Sequence, residues 1–183
     1  MGRPWGIVTL AIAAALLCGV STAGAAAPLQ ASGGKVVDPA GRTVILRGIN
    51  VNGLGDYFQA RPDVPSNTPL TRADFDRIAG LGLNSVRLLV TWNRLEPQPG
   101  VHDEAYLAEI RQAVGWARDA GLKVVLDMHQ DAWGKYIATK PGEQCPLLLT
   151  PSIGWDGAPE WATKTHGQST CHIAVRELAP AVQ

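Results

Sequence analysis

Apolar and polar positions follow two rhythms along this chain, one helical and one of strands. After Thr71, the residues Phe75, Ile78 and Ala79 form one apolar stripe, and Gly80 and Gly82 close it. Thr71 with Asp74 three residues on predicts a helix start of capping-box type, with Asp in place of the preferred Glu or Gln. The run Ser85–Val90 then predicts a buried strand. The pattern repeats: a loop from Thr91 to His102, a helix opened by Asp103 with Leu107, Ile110, Val114 and Ala117 on one face, a stop at Gly121, and a second apolar run from Lys123 of the kind that makes a parallel strand buried on both faces. The two junctions, Gly82-Leu83-Asn84-Ser85-Val86 and Gly121-Leu122-Lys123-Val124-Val125, lie 39 residues apart. That distance excludes a hairpin and suits strand–loop–helix–strand, so an α/β fold with a parallel sheet is expected.

Upstream, Lys35-Val36-Val37 and Arg42–Leu46 flank the turn Asp38-Pro39-Ala40-Gly41 and predict a hairpin. Its second arm is expected to run on into Arg47-Gly48-Ile49-Asn50, with Gly48 allowing close backbone approach. Asn52 to Pro69 reads as a loop. Downstream of Ala132 the periodicity fades into a long loop punctuated by Pro and Gly, and only Ile173–Leu178 has the look of a helix beginning.

The first 25 residues match an export signal, with Arg3, an apolar core from Gly6 to Val20, and Ala23-Gly24-Ala25 as a small-x-small cleavage pattern. Removing them leaves 158 of the 183 residues, enough for one domain, with no second apolar stretch of membrane-spanning length. A secreted protein without an integral membrane segment is therefore expected. Lys+Arg and Asp+Glu balance at 16 each, which speaks against a nucleic-acid or anionic-membrane partner. Of three cysteines, Cys18 lies in the signal; Cys145 and Cys171 are left as an even pair in an oxidising compartment and are expected to form a disulfide.

Candidate chemistry sits where the second strand turns polar, in Asp127-Met128-His129-Gln130-Asp131. At period two, Asp127, His129 and Asp131 share one face, at the strand end where α/β sheets bind ligands. A satisfied strand-end histidine beside two loop-capping carboxylates is the plain alternative. A metal site at these three residues is disfavoured, since the single histidine has no helical His partner at the usual zinc spacing. No Gly-x-Gly-x-x-Gly follows a strand, so a dinucleotide cofactor is not expected, and no other cofactor is expected either.

Several segments together resemble glycoside hydrolase family 5: Arg47-Gly48-Ile49-Asn50, Asn84-Ser85-Val86-Arg87-Leu88, and Trp92–Pro97 with Pro99-Gly100. Asp127–Asp131 together with Trp155–Thr163 is similar to the endoglycoceramidase branch, whose members cut between the glycan and the ceramide of a glycosphingolipid. The resemblance runs from about Lys35 to Thr163. It implies the N-terminal part of a (β/α)8 TIM barrel, cut off after about three βα units, over residues 26–183. It implies a retaining glycosidase whose partner is a carbohydrate or glycolipid substrate. Arg87 and His129 are implied as supports for the catalytic carboxylates, and Asp131, Asp127 and Trp133 as substrate-side residues. For Arg87 an ion pair inside the core is the alternative, and for Trp133 and Tyr136 ordinary loop packing competes with sugar stacking. The family's two glutamates follow a fourth and a seventh strand; neither segment occurs among the 183 residues, and Glu96-Pro97 is a decoy after an earlier strand. A β-glucanase or mannanase of the same family, or a non-catalytic carbohydrate-binding remnant, stands as the alternative function.

Overall fold

The computed structural model describes residues 28–57, 67–131 and 133–182. The expected signal segment, with Cys18, lies outside the described residues. The centre is a parallel sheet of three strands, β3 (Gly48–Val51), β4 (Ser85–Thr91) and β5 (Lys123–His129), in the order β3-β4-β5. Gly48, Ser85 and Lys123 stand side by side, and the β4–β5 pairing runs unbroken from Ser85↔Lys123 to Thr91↔His129. Gly48 has a steric reason: a Cβ there would collide with the Ser85 carbonyl.

Helices α1 (Arg72–Gly80) and α3 (Glu104–Asp119) cover one face of this sheet. Period two sends Val86, Leu88 and Val90 to that face, where they meet Phe75 and Ile78 of α1 and Tyr106, Ile110, Ala113 and Ala117 of α3. The Phe75 and Trp116 rings, 6.2 Å apart, join the two helices. Burying a side chain such as Leu88, with no exposed surface, contributes about 1.5–3 kcal/mol. Tyr106 is also buried and sends its hydroxyl through the core. It donates to the Leu54 carbonyl (2.8 Å) and accepts from the Thr91 amide (3.0 Å), so the ends of β3 and β4 share one anchor. Desolvation pushes its phenol pKa up.

The termini of α1 and α3 follow the sequence reading. The Asp74 carboxylate accepts from the Thr71 amide and hydroxyl, both at 2.8 Å, and Asp103 accepts from the Tyr106 amide at 2.9 Å. Elsewhere the structure departs from expectation. The hairpin forms one turn earlier: β1 (Gln30–Ser32) pairs with β2 (Lys35–Val37) across Gly33-Gly34, whose two positive φ angles suit a tight two-residue turn. The Asp38–Gly41 turn exists, but it carries only a single bridge, Val37↔Thr43, and Gly48–Val51 belongs to the other sheet. The expected loop after Thr91 contains a short helix, α2 (Trp92–Leu95). The expected helix at Ile173–Leu178 is one 3-10 turn, Arg176–Leu178, and Ile173 and Val175 are exposed.

The largest correction concerns β5, which is not buried on both faces. Val125, Leu126 and Met128 are 47–55% exposed. β5 is an edge strand, and no described helix lies over its far half, so its apolar residues lack partners.

Cys145 and Cys171 are bonded, 26 residues apart, and pin the long loop together with the Thr150↔His172 bridge. Closing a loop of that length stabilises by about 3–4 kcal/mol on the chain-entropy model. Thiol titration of the denatured, unreduced protein should find no reactive cysteine apart from Cys18; two further thiols would exclude the bond. Asp74 gives a second test. Its hydrogen bonds from Thr71 hold its carboxyl below the usual value, so its contribution is full above about pH 4 and is lost as pH falls through the lowered value. Asp74→Ala should cost about 1 kcal/mol in urea unfolding at pH 7 and much less at pH 2.

Candidate functional site

The face of the sheet away from the helices carries the polar residues. Register places Leu89 beside Asp127 and Thr91 beside His129, with Arg87 one step down the same row of β4. The Asp127 Oδ2 oxygen organises the group. It accepts from Arg87 Nη2 at 2.8 Å and lies 2.9 Å from His129 Nδ1. A carboxylate can only accept here, so Nδ1 carries a proton. His129 Nε2 faces Asp131 Oδ2 at 3.4 Å. The structure therefore gathers Arg87, Asp127, His129 and Asp131 into one continuous group. Arg87 forms an ion pair with Asp127, and its side chain is 41% exposed among the described residues.

Trp133 follows two residues later. It has a left-handed backbone (φ 72°), and its side chain is 43% exposed. Tyr136 is similarly open, with Lys135 Nζ 5.4 Å above its ring. Lys135 Nζ in turn pairs with Asp56 Oδ2 at 2.6 Å, and Asp56 also accepts from the Asn93 amide group. The loop after β3, the start of α2 and the segment after β5 are thereby tied together.

The long loop returns to this site backbone against backbone. The Ala158 amide donates to the Trp133 carbonyl (2.7 Å), the Asn93 amide to the Gly157 carbonyl (2.8 Å), and the Asp131 amide to the Asp156 carbonyl (3.0 Å). Gly157 must be glycine on two grounds: its φ is 143°, and a Cβ would lie 2.6 Å from the Trp133 carbonyl oxygen. Beyond it, the Trp161 indole donates to the Glu96 carbonyl (2.9 Å) and packs edge-on against Trp92 at 5.4 Å. The Glu96 carboxylate is occupied by the Trp92 indole N–H and the Gly100 amide, both at 2.7 Å, and these donors hold its pKa below the usual value. Glu96 is a loop brace.

Asp156 lies in Trp155–Thr163, but no spacing in the sequence singles it out. Its side chain is fully buried, and neither carboxylate oxygen has a hydrogen-bond partner among the described residues. Burial pushes its pKa up; Asp131 and Asp127 add to this, while His129 and the residue's own backbone N–H oppose it. Tyr57 was missed as well. Its phenol is raised by burial and then by Asp156, and its ring meets Trp155 edge-on at 5.8 Å, with the Arg176 guanidinium 4.4 Å from the Trp155 ring. The one available signal was an acid next to a glycine in a loop too long to be idle.

Residues 37–145 match the family model described as cellulase (glycosyl hydrolase family 5). Endoglycoceramidase I of Rhodococcus hoagii (strain 103S) is 37% identical over 157 aligned residues, covering 76% of this chain and 30% of that protein. A crystal structure of endogalactoceramidase superposes with a TM-score of 0.82 at 54% identity, over 85% of this chain and 34% of that one. Endo-glycoceramidase II from Rhodococcus sp., in its ganglioside GM3 complex, gives 0.61 at 34% identity, over 81% and 32%. The chain thus spans about a third of the length of these relatives.

Gly157→Ala should destabilise by about 2–4 kcal/mol, since a strained φ and a backbone collision add. Gly142→Ala meets open space at φ 85° and should cost only about 1 kcal/mol for the left-handed conformation. Thermal or urea melts of the two variants side by side check the ordering; equal losses would mean that the loop is not seated as described.

Proposed function

The chain belongs to glycosyl hydrolase family 5, and on that premise we propose that it forms the first third of an exported retaining glycosidase acting on glycosphingolipids. The reaction is hydrolysis of the bond between the glycan and the ceramide. The observation that carries this reading is the Arg87–Asp127–His129–Asp131 group, at the carboxyl end of β5 with Arg87 reaching across from the body of β4, on the face free of helices. The names of the relatives, which act on ceramide-linked glycans, support the substrate class. The leader pattern and the disulfide support export.

In this reading β3, β4 and β5 are three strands of a (β/α)8 barrel, and the uncovered apolar residues of β5 support further strands and helices beside it. Retaining chemistry needs a nucleophile and an acid/base about 5–5.5 Å apart. We assign neither to this chain. Its residues supply the surroundings. Arg87 is matched by Asp127, so that pair holds the imidazole in one orientation rather than adding free charge. His129 turns Nε2 toward the reaction zone, where it tunes the catalytic carboxylates. Asp131 accepts hydrogen bonds from sugar hydroxyls, with its backbone fixed by Asp156. Trp133 offers an open indole beside it, suited to stacking on a sugar ring.

The test is a chimera in which this chain replaces the matching third of the Rhodococcus hoagii endoglycoceramidase. The folded chimera should release glycan from a glycosphingolipid, whereas the chain alone should not. His129→Ala should act mainly on kcat. Asp131→Ala should lower kcat/KM by about 5- to 150-fold, the equivalent of roughly 1–3 kcal/mol of lost hydrogen bonding. Cleavage of β-glucan or mannan in place of glycolipid would favour the other family 5 activities. A folded but inert chimera would favour a non-catalytic remnant, and unchanged kinetics in both variants would misplace the site.

A further inference from the structure

We propose that a groove beside the site, between residues 135–141 and 160–165, binds the distal sugars of a neutral oligosaccharide whose first sugars lie at Asp131 and Trp133; the substrate it serves rests on the glycosphingolipid reading above. The groove has a volume of about 390 Å3, within the range of about 300–1,000 Å3 typical of small-molecule sites. Its walls carry Tyr136, Thr139 and Lys140 on one side and Glu160, Thr163 and Thr165 on the other.

Both walls grow out of the site. The Ala158 amide donates to the Trp133 carbonyl at 2.7 Å, and the two segments that leave this contact become the two sides of the groove. Tyr136 follows Trp133 by three residues and Glu160 follows Ala158 by two. Three residues span at most about 10–11 Å, so a glycan seated on Trp133 needs little further length to reach Tyr136.

Tyr136 supplies the binding surface. Its side chain is 39% exposed, yet the turn that presents it is anchored on both sides: Ile137 is buried, and Lys135 Nζ pairs with Asp56 at 2.6 Å. The Lys135 ammonium lies over the Tyr136 ring, 5.4 Å from its centroid, which steadies the ring and leaves its other face for a ligand. An open, steadied aromatic ring with a polar tip suits the apolar face of a sugar.

The remaining groups select the class of ligand. Asp56 neutralises Lys135, and Lys140 and Glu160 add one charge of each sign, so the groove has no surplus charge with which to choose an anion. Thr163 donates its hydroxyl to the Pro159 carbonyl at 2.9 Å, which leaves its oxygen to accept. Glu160 also accepts, Lys140 donates, and the Tyr136 hydroxyl does either. An acyl chain would bury these groups unpaired, whereas each sugar hydroxyl both donates and accepts.

The test is calorimetric titration of this chain, and of the folded chimera, with lactose and with the neutral tetrasaccharide lacto-N-tetraose. The tetrasaccharide should bind about fivefold more tightly, the equivalent of one aromatic contact. Tyr136→Ala should remove that advantage, and Tyr136→Phe, which keeps the ring, should retain it. Thermal melts separate loss of the ring from loss of the fold. Should Tyr136→Ala misfold, Glu160→Ala, exposed on the facing wall, replaces it and should reduce the advantage too. In an active chimera the same loss should appear in KM rather than kcat when the two glycans are compared as their ceramides. Equal binding of the two saccharides by wild type, or an advantage that survives in folded Tyr136→Ala, would overturn the proposal whether or not the chimera is active. An inert chimera that keeps the ring-dependent advantage would support the groove and count against the glycosidase reading alone.

Discussion

The pairing of β4 with β5, in register from Ser85↔Lys123 to Thr91↔His129, is the constraint on which the rest depends. A parallel ladder fixes which residues stand side by side, and period two then sorts them by face. One face receives Val86, Leu88 and Val90 and becomes the wall on which α1 and α3 pack. The other receives Arg87, Asp127 and His129 within reach of one carboxylate oxygen. A slip of one residue would send the charges into the core and the apolar residues into water, so core and site are specified by the same bonds.

The long loop shows a different way to be ordered. Among residues 133–182 regular structure is confined to three short 3-10 turns, yet the segment is held at many points. The disulfide closes it, Ser152 and Thr170 bond inside it, and the Trp161 indole locks it to the end of α2. Glycine makes the contact with the site possible. At Gly134, Gly154 and Gly157 the facing backbone is so near that a Cβ would collide with it. Asp156 enters the buried edge of the site through that contact, which is why a loop and not a strand supplies its most unusual carboxylate.

Electrostatics and exposure divide the molecule in the same way. Three carboxylates crowd His129, and only one of them has a guanidinium as its match. Charge is tolerated at the carboxyl end of the sheet because Asp127 is paired and Asp131 is partly in water; Asp156 has neither relief. At the other extreme, Val125, Leu126 and Met128 of β5 and Ile49 of β3 place apolar surface in solvent on the flanking strands. Balanced overall charge hides both features, since it averages over a chain whose imbalances are local.

The sequence by itself determined the repeating strand and helix units, their boundaries at Thr71, Gly80, Asp103 and Gly121, and the polar end of β5, because each rests on spacing within a few residues. It also pointed to Cys145 with Cys171, and to Arg87, Asp127, His129 and Asp131 as residues worth weighing. Pairing was less legible: the hairpin moved to Gly33-Gly34, and the flank of β5 proved exposed, since what a strand packs against lies far away in the chain. The joining of Arg87 and His129 on one oxygen of Asp127, and the approach of Asp156 and Tyr57 to that group, were decided only by tertiary structure. Local pattern carries the periodicity of backbone and side chains; it does not carry the distance between residues that a sheet register or a folded-back loop brings together.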